Sequence, residues 1–117
     1  MTDRTLTTNT MSQAASVCNI ATGKWVADAG TGVAMTFTPG FIPRHIQFVN
    51  ATDRITDEWY EGMAADSAIE TAAAGTRTLE TSGGITVGSA AAGTGNSFTV
   101  HADLVPASKT GYWVAIG

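Results

Sequence analysis

Residues 45–60 read HIQFVNATDRITDEWY. Ile46 and Phe48 alternate with His45, Gln47 and Val49, and Ile55 and Trp59 share one face of the second run. Alternation with a period of two is the mark of a half-buried strand. The polar tetrad Asn50–Asp53 between the runs supplies a short turn. The segment therefore predicts two antiparallel strands.

The same pattern recurs in both directions. Val33, Met35 and Phe37 alternate with Ala34, Thr36 and Thr38, and Phe98, Val100, Ala102 and Leu104 alternate with Thr99, His101 and Asp103. Tyr112, Val114 and Ile116 alternate with Trp113 and Ala115. Shorter candidates lie at 16–20, 23–27, 76–81 and 84–88. Pro39–Gly40 suits a turn, Pro43 opens a strand, Gly83–Gly84 separates two strands, and 90–96 reads as a small-residue loop. Pro106–Thr110 is expected to close a hairpin. Short strands punctuated this way predict an all-β fold, an antiparallel sandwich or barrel of roughly eight strands. One stretch dissents. Met63–Ala74 is rich in helix formers, has Asp66 as a candidate N-cap and ends at Gly75, so 66–74 reads as a short helix or an ordered loop.

The chain has 117 residues, enough for one domain with its own core. Residues 14–117 form that β domain. Residues 1–13, with five threonines and only Leu6 and Met11 as large apolar side chains beyond Met1, read as an arm, flexible alone or pinned to a neighbour. Only 14% of residues are charged, about half the usual quarter. A Thr/Ser/Ala/Gly surface costs little to desolvate, which suits a protein packed against others, and a homo-oligomer is expected. The net charge is −4 and the six basic residues are scattered, so neither nucleic acid nor an anionic membrane is an expected partner. Cys18, beside Val17 and Ile20, reads as a small buried hydrophobe that cannot form an internal disulfide. The polar N-terminus does not read as a signal peptide, and synthesis in the cytoplasm is expected.

Catalytic chemistry finds little purchase. His101 and Asp103 lie at i and i+2 with side chains expected to diverge, and no nucleophile turn accompanies them. One Cys and two distant His do not make a zinc site, and Asp53, Asp57, Glu58 and Glu61 lack the spacing of a calcium loop. Asp57 shares a face with Ile55 and Trp59, so it is expected to be part-buried and paired with Arg54 or Arg44. The Gly-rich runs 30–34 and 84–95 have no phosphate-cradling context. No catalytic residue, metal or cofactor is expected.

The aromatics are more informative. In Trp59–Tyr60 and Tyr112–Trp113, alternation sends neighbours to opposite faces. With Trp59 and Tyr112 assigned to the core, Tyr60 and Trp113 face outward. Outward aromatics serve interfaces, or a carbohydrate platform, and the interface reading fits the sparse charge better. Thr2, Arg4, Leu6, Thr8, Met11, Tyr60 and Trp113 are thus the candidate interface residues.

The runs FTPGFIPRHIQFVNATDRITDEWYEGM (37–63) and SGGITVGSAAAGTGNSFTVHADLVPASKTGYWVAIG (82–117) resemble small virion proteins of tailed bacteriophages, specifically capsid decoration, or cement, proteins. The resemblance implies a β-rich domain on the outer capsid surface that binds the major capsid protein, clamps neighbouring subunits and resists internal DNA pressure. It implies no residue-level roles, and a tail or baseplate structural protein would share the same texture.

Overall fold

The computed structural model describes residues 19–30, 32–88 and 96–117. The arm 1–13, Cys18 and the loop over 90–95 lie outside the described residues, and with them the candidates Thr2, Arg4, Leu6, Thr8 and Met11.

Eight strands follow in chain order: β1 Ile20–Val26, β2 Met35–Phe37, β3 His45–Asn50, β4 Ile55–Tyr60, β5 Ser67–Thr71, β6 Arg77–Val87, β7 Phe98–Val100 and β8 Thr110–Ile116. Every pairing is antiparallel, and the strands form one sheet ordered β1-β8-β3-β4-β5-β6-β7-β2. The expected all-β architecture takes the form of a single sheet curled into a half-barrel.

The curl brings the β7–β2 wing over the β1–β8–β3 wing and makes the core. Phe37 of β2 lies 5.8 Å from Phe48 of β3 and 5.5 Å from Trp113 of β8, ring centre to ring centre. Phe98 stacks on Phe37 at 5.2 Å, and Trp25 stacks on Phe48 at 5.2 Å. Ile46, Ile85, Val100 and Val105 fill the spaces and are fully buried. Two glycines make room for the indoles. A Cβ on Gly23 would lie 2.5 Å from Cε2 of Trp113, and one on Gly111 would lie 2.5 Å from Nε1 of Trp25. A glycine inside a strand commonly marks such a close approach.

The hairpin over 45–60 stands as the sequence predicts. Its turn is closed by Asn50, whose Oδ1 accepts from the Asp53 N–H at 3.0 Å. Four other expectations need correction. Residues 66–74 hold neither helix nor loop but strand β5 and the first part of its turn into β6. Helix propensity there is overridden by pairing with β4 and β6. Gly75, at φ +95°, serves that turn and not a helix end. Gly83–Gly84 does not break a strand. β6 runs straight through it with a bulge, the register stepping from Ala68–Glu80 to Ser67–Ile85. The β7 run stops at Val100, and Ala102–Leu104 form a 3₁₀ turn that buries Leu104. Pro106–Thr110 is not a hairpin, because β7 pairs with β6 and β2 while β8 inserts between β1 and β3.

Asp66 builds the bulge. It adopts φ +61°, and its carboxylate accepts from the Gly83 and Gly84 N–H groups, each at 3.1 Å. Its own N–H reaches Ile85 O and Thr86 Oγ1, both at 3.1 Å. The residue that reads as a helix cap in sequence thus caps a bulge, using the same short acceptor.

Candidate docking face

The registers sort the side chains of β1, β8, β3, β4, β5 and β6 onto two faces. The outer face carries three rows. One is Lys24, Tyr112, Val49, Thr56, Thr71 and Arg77; the next is Thr22, Val114, Gln47, Glu58, Ile69 and Leu79. The third is Ile20, Ile116, His45 and Tyr60. Six strands are separated by five spacings of about 4.8 Å, which makes this face roughly 24 Å from first strand to last. Large apolar side chains stand open on it: Ile20 is 62% exposed, Leu79 62% and Tyr112 54%.

Its charges are largely neutralised. Glu58 accepts a hydrogen bond from the Tyr60 hydroxyl at 2.6 Å and pairs with Arg77 at 3.5 Å. Lys24 is the only charge on these rows without an ion-pair partner among the described residues. Tyr60 also stacks on His45, ring centres 4.6 Å apart. A shallow trough of about 410 Å³ runs between Thr22, Gln47, Val49, Tyr112 and Val114. Such a surface combines aromatic anchors with few charges to desolvate.

Of the candidate interface residues, Tyr60 points outward as expected. Trp113 does not: it packs inward against Phe37 and Phe98, the latter at 5.3 Å. Tyr112 takes the outward place that the sequence reading assigned to Trp113. Alternation alone sets parity, not which face is inner. The Tyr112/Val114/Ile116 set looks the better core on paper, yet Gly111 is small because the Trp25 indole fills the space beside it. The outward parity of His45 and Gln47 was readable opposite Ile46 and Phe48; the row that joins them to Tyr112 was not.

The inner face ends in an acidic patch. Asp57 is buried, and it lies directly opposite Glu70, with Glu80 nearby on β6. The expected partners are elsewhere: Arg44 pairs with Glu61 at 3.8 Å, and Arg54 sits exposed in the β3–β4 turn. Asp57 Oδ1 is enclosed without a hydrogen-bond partner. Burial, and then the neighbouring Glu70, push its pKa from 3.8 up to about 8, so Asp57 is protonated at neutral pH. Glu70 is also raised, first by burial and then by Glu80. Among the described residues no three His, Cys, Asp or Glu side chains are grouped to hold a metal ion.

His101 and Asp103 meet rather than diverge. The Asp103 N–H donates to His101 Nδ1 at 3.1 Å, and Asp103 Oδ2 lies 3.5 Å from the same nitrogen. The 3₁₀ turn, which His101 caps, folds the two together. Among the described residues no hydroxyl hydrogen-bonds His101. No protein-family model, curated protein or solved structure matches the chain.

Proposed function

We propose that the protein is a non-enzymatic structural protein of a virion, a decoration protein that lays its outer sheet face on the capsid exterior and ties neighbouring major capsid protein subunits together. The observation that carries this reading is the face itself: six strands wide, with two outward tyrosines and, among the described residues, one charge on its rows without an ion-pair partner. A clamp needs area and complementarity rather than chemistry, and copies at symmetric sites add avidity to weak single contacts. That the partner is a capsid lattice is what the resemblance of residues 37–63 and 82–117 to cement proteins implies. A tail or baseplate surface would use the same face.

The test is co-sedimentation of the purified chain with capsids assembled from the major capsid protein of the same genome. Binding that falls at least about tenfold in Tyr60→Ser/Tyr112→Ser supports the reading. Absence of binding, or binding indifferent to both tyrosines, overturns it. A second reading, a carbohydrate-binding module, rests on Tyr112 beside Gln47 and the Tyr60–His45 stack beside Glu58. A glycan array decides it: silence removes the module.

A further inference from the structure

The two ends of the sheet are protected unequally. β2 is an edge of three residues, and short edges resist pairing. β1 is an edge of seven residues, unbroken by bulge or proline, with Lys24 its only charge. Asn19 and Gly117 exchange both backbone hydrogen bonds, at 3.2 and 2.9 Å. Antiparallel alternation therefore gives Ala21, Gly23 and Trp25 to β8 and turns the N–H and C=O groups of Ile20, Thr22, Lys24 and Val26 outward. Among the described residues nothing accepts or fills these groups. Ile20 and Val26, at the two ends of the strand, are 62% and 61% exposed.

We infer that β1 is a self-pairing edge: β1 of a second copy adds antiparallel to it across a two-fold axis through Gly23, joining two eight-stranded sheets into one. The strand's own sequence selects the occupant and the register. An antiparallel partner that satisfies the outward groups must oppose even-numbered residues to even-numbered ones. Centring on Gly23 sets Ile20 opposite Val26 and Thr22 opposite Lys24, so each apolar side chain meets an apolar one and each lysine meets a threonine. Centring on Lys24 would set lysine against lysine, which is destabilising. Centring on Thr22 would set the apolar Ile20 against Lys24. At the axis itself the two Gly23 residues face each other in a non-hydrogen-bonded pair, where backbones approach to about 4.5 Å. The union also extends the outer face without a seam, because Ile20, Thr22, Lys24 and Val26 belong to that face. The inference concerns the free protein and does not rest on the capsid reading.

The experiment is analytical ultracentrifugation of the full chain from micromolar to millimolar concentration, with two sets of variants. Thr22→Pro/Lys24→Pro removes outward N–H groups only; the bonds to β8 remain, and an edge strand tolerates proline there. The wild type is expected to dimerise, and the proline variant to dissociate at least about a hundredfold more readily while keeping its circular dichroism. In a Cys18→Ser background, Ile20→Cys/Val26→Cys is expected to form disulfide-linked dimers on oxidation, whereas Thr22→Cys alone and Lys24→Cys alone are not. This second set keeps the test open if the prolines unfold the chain. A monomer at every concentration overturns the inference. So does a dimer indifferent to the prolines, or cross-linking through Thr22→Cys or Lys24→Cys alone. Dimerisation that appears only after residues 1–18 are removed overturns it too, by giving the edge to the chain's own N-terminal segment. Capsid binding by a monomer would leave the proposed function standing while the edge inference failed.

Discussion

The indole of Trp113 lies on Gly23, its register partner across β1 and β8, so close that a single added methyl would meet the ring at 2.5 Å. Two positions along, the roles are exchanged: Trp25 covers Gly111 and donates its Nε1–H to Val49 O at 3.1 Å. The reciprocal pairs seat two large indoles in a narrow layer and settle which side of the sheet is core.

Gly23→Ala and Gly111→Ala should each destabilise the fold by about 1–3 kcal/mol, the usual cost of overpacking a filled core. Gly111→Ala should cost more. Its Cβ also meets the backbone oxygen of Val49, which cannot swing aside as a ring can. Urea denaturation followed by tryptophan fluorescence measures both. Negligible shifts in midpoint would show that the indoles have free room, and equal shifts would show that the Val49 oxygen adds nothing.

Asp57 makes stability fall as pH rises. The unfolded carboxyl titrates near 3.8 and the folded one near 8, so between those values the folded chain holds a proton that the unfolded chain has lost. Stability therefore declines with rising pH across that window. Below it both states are protonated and the effect vanishes; above it the buried anion faces Glu70 and Glu80 at full cost. Asp57→Asn should flatten the profile and be more stable than wild type at pH 8. Denaturation midpoints at pH 4.5, 6 and 8 test this, and a wild-type midpoint that rises with pH would contradict it.

Much of this architecture was legible locally, and its failures have a common origin. The β3–β4 hairpin could be read because both its alternating runs and its Asn50–Asp53 turn are short-range features. β5 could not, because Ala72, Ala73 and Ala74 raise helix propensity while the pairing that defeats it comes from β4 and β6. The partners of Asp57 follow from the β4–β5 register, which local sequence does not encode. The outer face was half legible through Tyr60. Its Tyr112 half depended on Gly23 and Gly111 yielding space to tryptophans, a relation between strands far apart in the chain.

Asp66 separates two contributions that usually travel together. Asp66→Gly keeps the positive φ but loses the carboxylate that holds Gly83 and Gly84, and should cost about 1–3 kcal/mol for the freed backbone donors. Asp66→Ala loses the carboxylate and adds backbone strain, so it should cost about 1 kcal/mol more. Asp66→Asn, which tolerates the same φ and keeps one acceptor, should cost least. Thermal melts of the three variants give the order, and a glycine variant as stable as wild type would remove the carboxylate from the account of the bulge.

Tyr112 and Trp113 are adjacent yet should respond oppositely to truncation. Trp113→Ala removes an indole packed on Phe37, Phe98 and Gly23, and should cost about 3–5 kcal/mol. Tyr112→Ser removes an exposed ring from the outer face and should leave stability within about 1 kcal/mol of wild type. If the outer face docks, the same Tyr112→Ser should weaken co-sedimentation with capsids, as Tyr60→Ser should. Tyr60 has a further contact to lose, since its ring stacks on His45 and its hydroxyl holds Glu58, so its stability effect should exceed that of Tyr112. Chemical denaturation and binding measured on the same four proteins, wild type included, separate the two faces. A Trp113→Ala variant that kept full stability would mean the core assignment is inverted, and a stable Tyr112→Ser variant with undiminished docking would move the contact off this face.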